Sequence, residues 1–263
     1  MNVACKRVLL TGATGGLGHA IARRLAAAGA HVVLSGRRDD VLVELASEIG
    51  AEVAPADLTD AQAVRELGAA HADVDVLVSS AGLSASGVID SWTEEQIDRA
   101  LDVNLRSAIV LARVLVPHMV ERRCGHLVFM SSLAGKSPTA GTSLYNATKF
   151  GLRGFAGALR AELHGTGVGV SAIFPGFIRD AGMFHEANVK LPFGVGTKSP
   201  EQVAAATLRA IEHDKAEVDV APIGLRISSA LGGFVPDIAA AVTRRTGGAK
   251  IAEAHETAHM SKR

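Results

Sequence analysis

Tyr145 and Lys149 stand four residues apart in Tyr145-Asn146-Ala147-Thr148-Lys149. On a helix that spacing puts both side chains on one face. A free phenol has a pKa of about 10 and is a poor base at neutral pH. A nearby ammonium favours phenolate and draws that value down. Lys149 would then tune Tyr145, and Tyr145 would exchange a proton with a substrate oxygen; a surface pair of the same spacing is the alternative. Ser131-Ser132 closes an apolar strand-like run. Open parallel sheets bind ligands beyond the carboxyl ends of their strands, so Ser132 is placed to hydrogen-bond that same oxygen. Asn104 lies inside a long helical stretch, where Asn has no intrinsic advantage. Either a core hydrogen bond or a site for a catalytic water accounts for it.

A second group of residues is suited to binding phosphate. Thr11-Gly12-Ala13-Thr14-Gly15-Gly16-Leu17-Gly18 follows the first strand-like run and opens the first helical one. In that context glycines allow a tight turn and let backbone N–H groups approach a pyrophosphate at a helix N-terminus. An acid about 20 residues beyond such a loop would accept hydrogen bonds from the ribose of NAD. Gly36 occupies that place here, and Arg37 and Arg38 follow it. A guanidinium pairs bidentately with a 2′-phosphate, so the sequence points to NADP(H), with Arg37 the better placed. The alternative is two solvated arginines at a helix start, balanced by Asp39 and Asp40.

The elements that must position these groups alternate. Apolar runs occur at 7–10, 31–35, 51–55, 74–79, 126–131 and 168–174, and a further strand is expected at 218–221. Helical stretches are expected at 16–28, 39–49, 60–70, 94–122, 144–164 and 200–214. Continuous apolar strands fit a sheet covered on both faces. Thr59-x-x-Gln62, Thr93-x-x-Gln96 and Ser199-x-x-Gln202 read as capping boxes, with Pro200 at the first helical position. The pattern predicts an α/β fold with a doubly wound, Rossmann-type parallel sheet in a single domain. That domain is expected to span 1–224 and to include a substrate cover at 177–198, or an ordinary packed connection there. A partly helical tail at 225–263 follows, its polar end disordered.

Composition narrows the partners. Twenty-seven basic residues balance 27 acidic ones, which removes a global electrostatic case for nucleic acid. Cys5 and Cys124 have neither metal-ligand nor disulfide-framework spacing. No apolar run approaches the ~18 residues of a membrane span, so a cytoplasmic protein is expected. The series Leu225, Ile227, Leu231, Phe234, Val235, Ile238 and Val242 is broken at Gly232-Gly233 and Pro236. It would cover the protein's own core, join subunits of a homo-oligomer, or dock reversibly on a membrane surface helped by Arg244 and Arg245.

Together these residues resemble the short-chain dehydrogenase/reductase family over about 7–178, and more weakly to Ala221. The resemblance rests on Thr11-Gly12…Gly16-Leu17-Gly18, Asp57-Leu58, Ala81-Gly82, Asn104, Ser132, Tyr145-x-x-x-Lys149 and Pro175-Gly176. It implies that Asn104, Ser132, Tyr145 and Lys149 form a catalytic tetrad acting on a small carbonyl or alcohol. It also implies that Asp57 contacts adenine, that Lys149 holds the nicotinamide ribose, and that Leu58, Ala81, Gly82, Pro175, Gly176 and Ile178 line the cofactor. Three departures stand out. Ser79-Ser80-Ala81-Gly82 replaces a turn that usually carries Asn, Asp180 stands where a threonine is expected, and the usual Asp-Gly-Gly ending is missing. The glycine pattern also fits the extended branch of epimerases and dehydratases, but little chain is left for their larger substrate domain. A cofactor-bound regulatory or scaffold protein is the alternative from another class; it has no need of Ser132 and Tyr145 together.

Overall fold

A computed structural model describes residues 1–182 and 196–234 of the 263. Among them, seven strands form one parallel sheet in the order β3-β2-β1-β4-β5-β6-β7. The strands are β1 (Arg7–Thr11), β2 (His31–Ser35), β3 (Glu52–Val53), β4 (Val76–Ser79), β5 (Gly125–Met130), β6 (Val168–Pro175) and β7 (Glu217–Val220). The helices are α1 (Gly16–Ala27), α2 (Asp39–Ile49), α3 (Ala61–Ala70), α4 (Glu94–Leu101), α5 (Ser107–Glu121), α6 (Ser143–Glu162), α7 (Pro200–Glu212) and α8 (Ile223–Phe234).

Alternation along each strand divides the core in two. Leu10, Leu34, Val78 and Val128 point to one face, where Ile21 and Leu25 of α1, Leu42 of α2 and Val203 of α7 cover them. Leu9, Val33, Leu77 and Phe129 point to the other, under Val64 of α3, Leu111 and Leu115 of α5 and Leu152 of α6. Each such side chain, fully removed from water, contributes roughly 1.5–3 kcal/mol. The doubly wound arrangement expected from the unbroken apolar runs is therefore present.

Helix starts follow local chemistry, with one correction. Thr93 with Gln96 and Ser199 with Gln202 form two of the three expected capping boxes. Thr59 does not cap α3. Its hydroxyl donates to the Asp57 carboxylate at 2.9 Å, and Asp60 takes the N-cap, accepting from the backbone N–H groups of Gln62 and Ala63. The long helix expected at 94–122 is two α-helices joined by a π turn, Asp102–Arg106. By length and composition Glu94–Glu121 is apolar enough to cross a membrane. Here its apolar residues on α5 cover the sheet beside α3.

Helix α8 begins at Ile223 and runs through Gly232-Gly233, where the apolar series was expected to break. The remainder of the tail, and residues 183–195 of the expected substrate cover, lie outside the described residues. The two ends of that stretch are tied together. Arg179 donates from its backbone N–H to the Lys198 carbonyl, and Lys198 to that of Phe177, both at 2.9 Å.

Candidate active site

The carboxyl ends of β1, β2, β4, β5 and β6 carry the residues singled out above. Strand order reverses between β1 and β4, so the glycine loop and the loop after β4 face each other across the switch point where doubly wound sheets bind ligands.

At β1 the chain leaves no room for side chains. Gly12 has φ +70°, and a methyl group there would lie 2.6 Å from the Ala81 backbone. One on Gly16 would run into the Ala181 side chain, and one on Gly18 into the Gly12 carbonyl. Gly15 precedes α1 without a side-chain cap, so the first N–H groups of that helix are open to an anion. Leu17 packs against the core beneath.

Beside this loop, a methyl group on Gly36 would press on the Thr14 side chain at 2.9 Å. Arg38 turns back and donates to the Thr14 carbonyl, steadying the loop. Arg37 instead lines an open cleft of about 550 Å³ with Asp57, Thr59, Glu95, Asp98, Arg99 and Asp102. Burial pushes the Asp57 carboxyl up, but hydrogen bonds from Thr59 and the charges of Arg37 and Arg99 outweigh it and hold the group below its usual value. Leu58 points into the core. The uncapped helix start and the glycine cradle, with Arg37 nearby, suit a phosphate-rich dinucleotide, while the rest of the Arg37 cleft is largely acidic.

The catalytic candidates converge on the start of α6. The Tyr145 backbone N–H donates to the Ala85 carbonyl at 3.2 Å, and its side chain packs against the small cluster of Ala85, Ala100 and Leu144, which Trp92 and Ile97 also flank. One turn on, the buried Lys149 ammonium donates to the Met130 carbonyl at 2.9 Å and lies 5.6 Å from the Tyr145 ring centre. Burial lowers the Lys149 pKa to about 8. It also raises that of the Tyr145 phenol, against which the hydrogen bond with Ser132 acts. The downward pull expected from Lys149 is not seen: burial dominates, and the counteracting group is Ser132. The Ser132 hydroxyl also accepts from the Ala134 N–H at 3.2 Å and reaches the Pro175 carbonyl at 3.5 Å.

Asn104 sits in the π turn, 1% exposed. Its amide accepts from the Leu83 N–H at 2.6 Å and donates to the Leu83 carbonyl at 3.0 Å. The same amide reaches the Thr148 hydroxyl on α6 at 3.4 Å. These hydrogen bonds fix the turn after Ala81-Gly82 to α6. At the end of β6, Gly176 packs against Ala221 and Leu133, and Ile178 is buried. Asp180, at φ +67°, pairs with Arg179 on the surface at 3.2 Å.

Asn146 was passed over as a spacer within the motif. Its amide donates to the carbonyls of Ala134 and Ser137 and accepts from the Thr139 N–H and the Thr142 hydroxyl. All four hydrogen-bonding positions of the side chain are used in holding the loop after Ser132. Only the four-residue interval between Asn146 and Thr142 hinted at this.

A family model described as short chain dehydrogenase matches residues 6–191. The ketoacyl reductase HetN of Nostoc sp. is 37% identical over 224 residues, which are 82% of this chain and 78% of that protein. The NADP-dependent 3-hydroxy acid dehydrogenase YdfG of Salmonella typhi is 39% identical over 183 residues, 65% of this chain and 72% of that one. Among solved structures, a short-chain dehydrogenase from Sphingobium yanoikuyae in complex with NADPH aligns with a TM-score of 0.75 at 27% identity, covering 89% of this chain and 94% of that one. The closed form of a serine dehydrogenase complexed with NADP+ aligns with a TM-score of 0.75 at 31% identity, covering 83% and 95%. The glycine cradle, the tyrosine–lysine helix and a match over most of the length make this chain a member of the short-chain dehydrogenase family.

Proposed function

We propose that this protein transfers a hydride between NADP(H) and a carbonyl/alcohol pair, with Tyr145 as the acid or base. The observation that carries this reading is the convergence of Ser132, Tyr145 and Lys149 beside the glycine cradle. Bound NADPH supplies the hydride and NADP+ accepts it. The cradle and the open start of α1 would hold its pyrophosphate, and Arg37 would take the 2′-phosphate. Asp57 would contact the adenine, and Lys149 would give a second ammonium proton to the ribose.

A phenol is protonated at neutral pH and burial raises the Tyr145 value further, so its proton sits on Oη, which suits it to protonate an oxygen as a carbonyl is reduced. Ser132 Oγ orients that oxygen. In the opposite direction the phenol must first lose its proton, so oxidation is favoured by alkaline pH. The names of the relatives suggest 3-oxoacyl and 3-hydroxy acid compounds as the first substrate class. Initial rates with NADPH and a panel of 3-oxo esters and thioesters, and with NADP+ and 3-hydroxy acids, test the reading. No cofactor-dependent turnover across that panel and a broader set of ketones and alcohols would reject it.

A further inference from the structure

We propose that Lys136 is a positioning residue for the reaction, fastening the Ser132 loop to strand β7 so that the serine hydroxyl stays on Tyr145. This rests on the role given to Ser132 and Tyr145 above. Lys136 follows the short 3-10 turn Leu133–Gly135 that Ser132 opens. Its side chain is 10% exposed, and its ammonium lies 4.1 Å from the centre of the Phe174 ring. It reaches the Asp219 carboxylate at 2.5 Å and the Glu217 carboxylate at 2.9 Å, both on β7. A sheltered ammonium gripped by two carboxylates has few other places to go.

The two acids hold more than Lys136. Glu217 also binds Arg153, two turns beyond Tyr145 on α6, at 2.7 Å. Asp219 faces Arg226 of α8 at 3.9 Å. On its other side the loop is pressed onto α6, where a methyl group on Gly135 would lie 2.6 Å from the Lys149 carbonyl. Asn146 holds the carbonyls of Ala134 and Ser137. Those contacts fix the loop to the tyrosine's own helix, whereas Lys136 fixes it to the sheet edge. Without Lys136 the loop loses its tie to β7, and Glu217 and Asp219 lose a cation that both share. A small displacement of Ser132 suffices to lose a hydrogen bond and a productive geometry.

Tyr145 is the only tyrosine in the chain, so ultraviolet titration of phenolate in the protein reads that one side chain. The Ser132 hydrogen bond lowers its pKa. Ser132→Ala should therefore raise the midpoint, and Lys136→Met should raise it by a comparable shift of at least about half a unit. Lys136→Arg should restore the wild-type midpoint. In a Ser132→Ala background, Lys136→Met should add nothing, because the bond it protects is already gone. If Lys136→Met does not fold, Asp219→Asn takes its place in the cycle. A wild-type midpoint in the folded variant, or an equal shift with and without Ser132, overturns the proposal. With NADPH and a reducible 3-oxo ester, kcat should fall about tenfold while the cofactor Kd stays within twofold. Wild-type protein that reduces nothing, yet shows the titration pattern, would sink the reaction and spare the positioning role.

Discussion

The loop after β1 and the loop after β5 end neighbouring parts of one sheet, and they are built by opposite means. After β1 the chain omits side chains, since methyl groups on Gly12, Gly16 and Gly18 would all meet other atoms. After β5 the chain adds them, with Asn146, Ser131 and Lys136 each reaching out to hold a backbone or a carboxylate. Backbone N–H groups bind phosphate through a fixed dipole and need only to be approached closely. Proton transfer needs one atom in one place, and side-chain networks supply that constraint. The first loop should therefore tolerate little added bulk, and the second little removed polarity.

The largest effect expected on the catalytic side alone is that of Tyr145→Phe. It removes the transferable proton and keeps the ring in its apolar bed. Steady-state kcat should drop by roughly 10²–10⁴-fold while NADPH affinity, measured by fluorescence titration, changes little. A variant that turns over at near wild-type rate would dissolve the division of labour between the two loops.

Lys149 gives the next largest effect, read as stability against pH. Burial lowers its pKa to about 8 in the folded protein, against about 10.5 for an ordinary lysine. Between those values the unfolded chain holds the proton that the folded one has lost, so stability rises with pH. The penalty is complete below about pH 8 and is relieved toward 10.5. Chemical denaturation of cofactor-free protein should show wild type gaining on the order of 3 kcal/mol on Lys149→Met across that window. A pH-independent difference between the two proteins would mean that burial does not govern Lys149.

The smallest effect belongs to the cofactor side and separates two dinucleotides. Arg37→Ala should weaken NADPH by roughly 10–150-fold, the cost of about 1.5–3 kcal/mol for a charge-assisted contact, and leave NADH almost unchanged. Equal losses for the two would assign Arg37 to the shape of the loop. Arg38 already serves that shape through the Thr14 carbonyl, so its replacement should weaken both.

Much of this was readable in the sequence because the informative residues are adjacent. The glycine loop, Tyr145 with Lys149, and the capping boxes at Thr93 and Ser199 each lie within one turn or loop. The misread cap at Thr59 shows the limit. The motif was present, but the Asp57 carboxylate two residues earlier competes for the same hydroxyl. The staple of Lys136 on Asp219 joins residues 83 apart, and no periodicity records such a pair. The raised phenol of Tyr145 likewise depends on burial against the cluster of Ala85, Ala100 and Leu144, which only the packed fold supplies. The glycine pair within α8 reads as a break because glycine is a poor helix former, yet the helix continues through it.

The π turn at Asp102–Arg106 acts as a phase shifter in the rod that runs from Glu94 to Glu121. One surplus residue per turn rotates everything downstream by about 100° relative to an unbroken α-helix. That offset lets α4 aim Ile97 and Ala100 into the cluster that also takes Leu144 and Tyr145 while α5 aims Leu111 and Leu115 at the sheet. The same rod thus meshes with two partners whose spacing no single helical register could satisfy. Deleting one residue from the turn would leave composition and hydropathy almost untouched and put the two ends out of gear, with Asn104 swung away from Leu83.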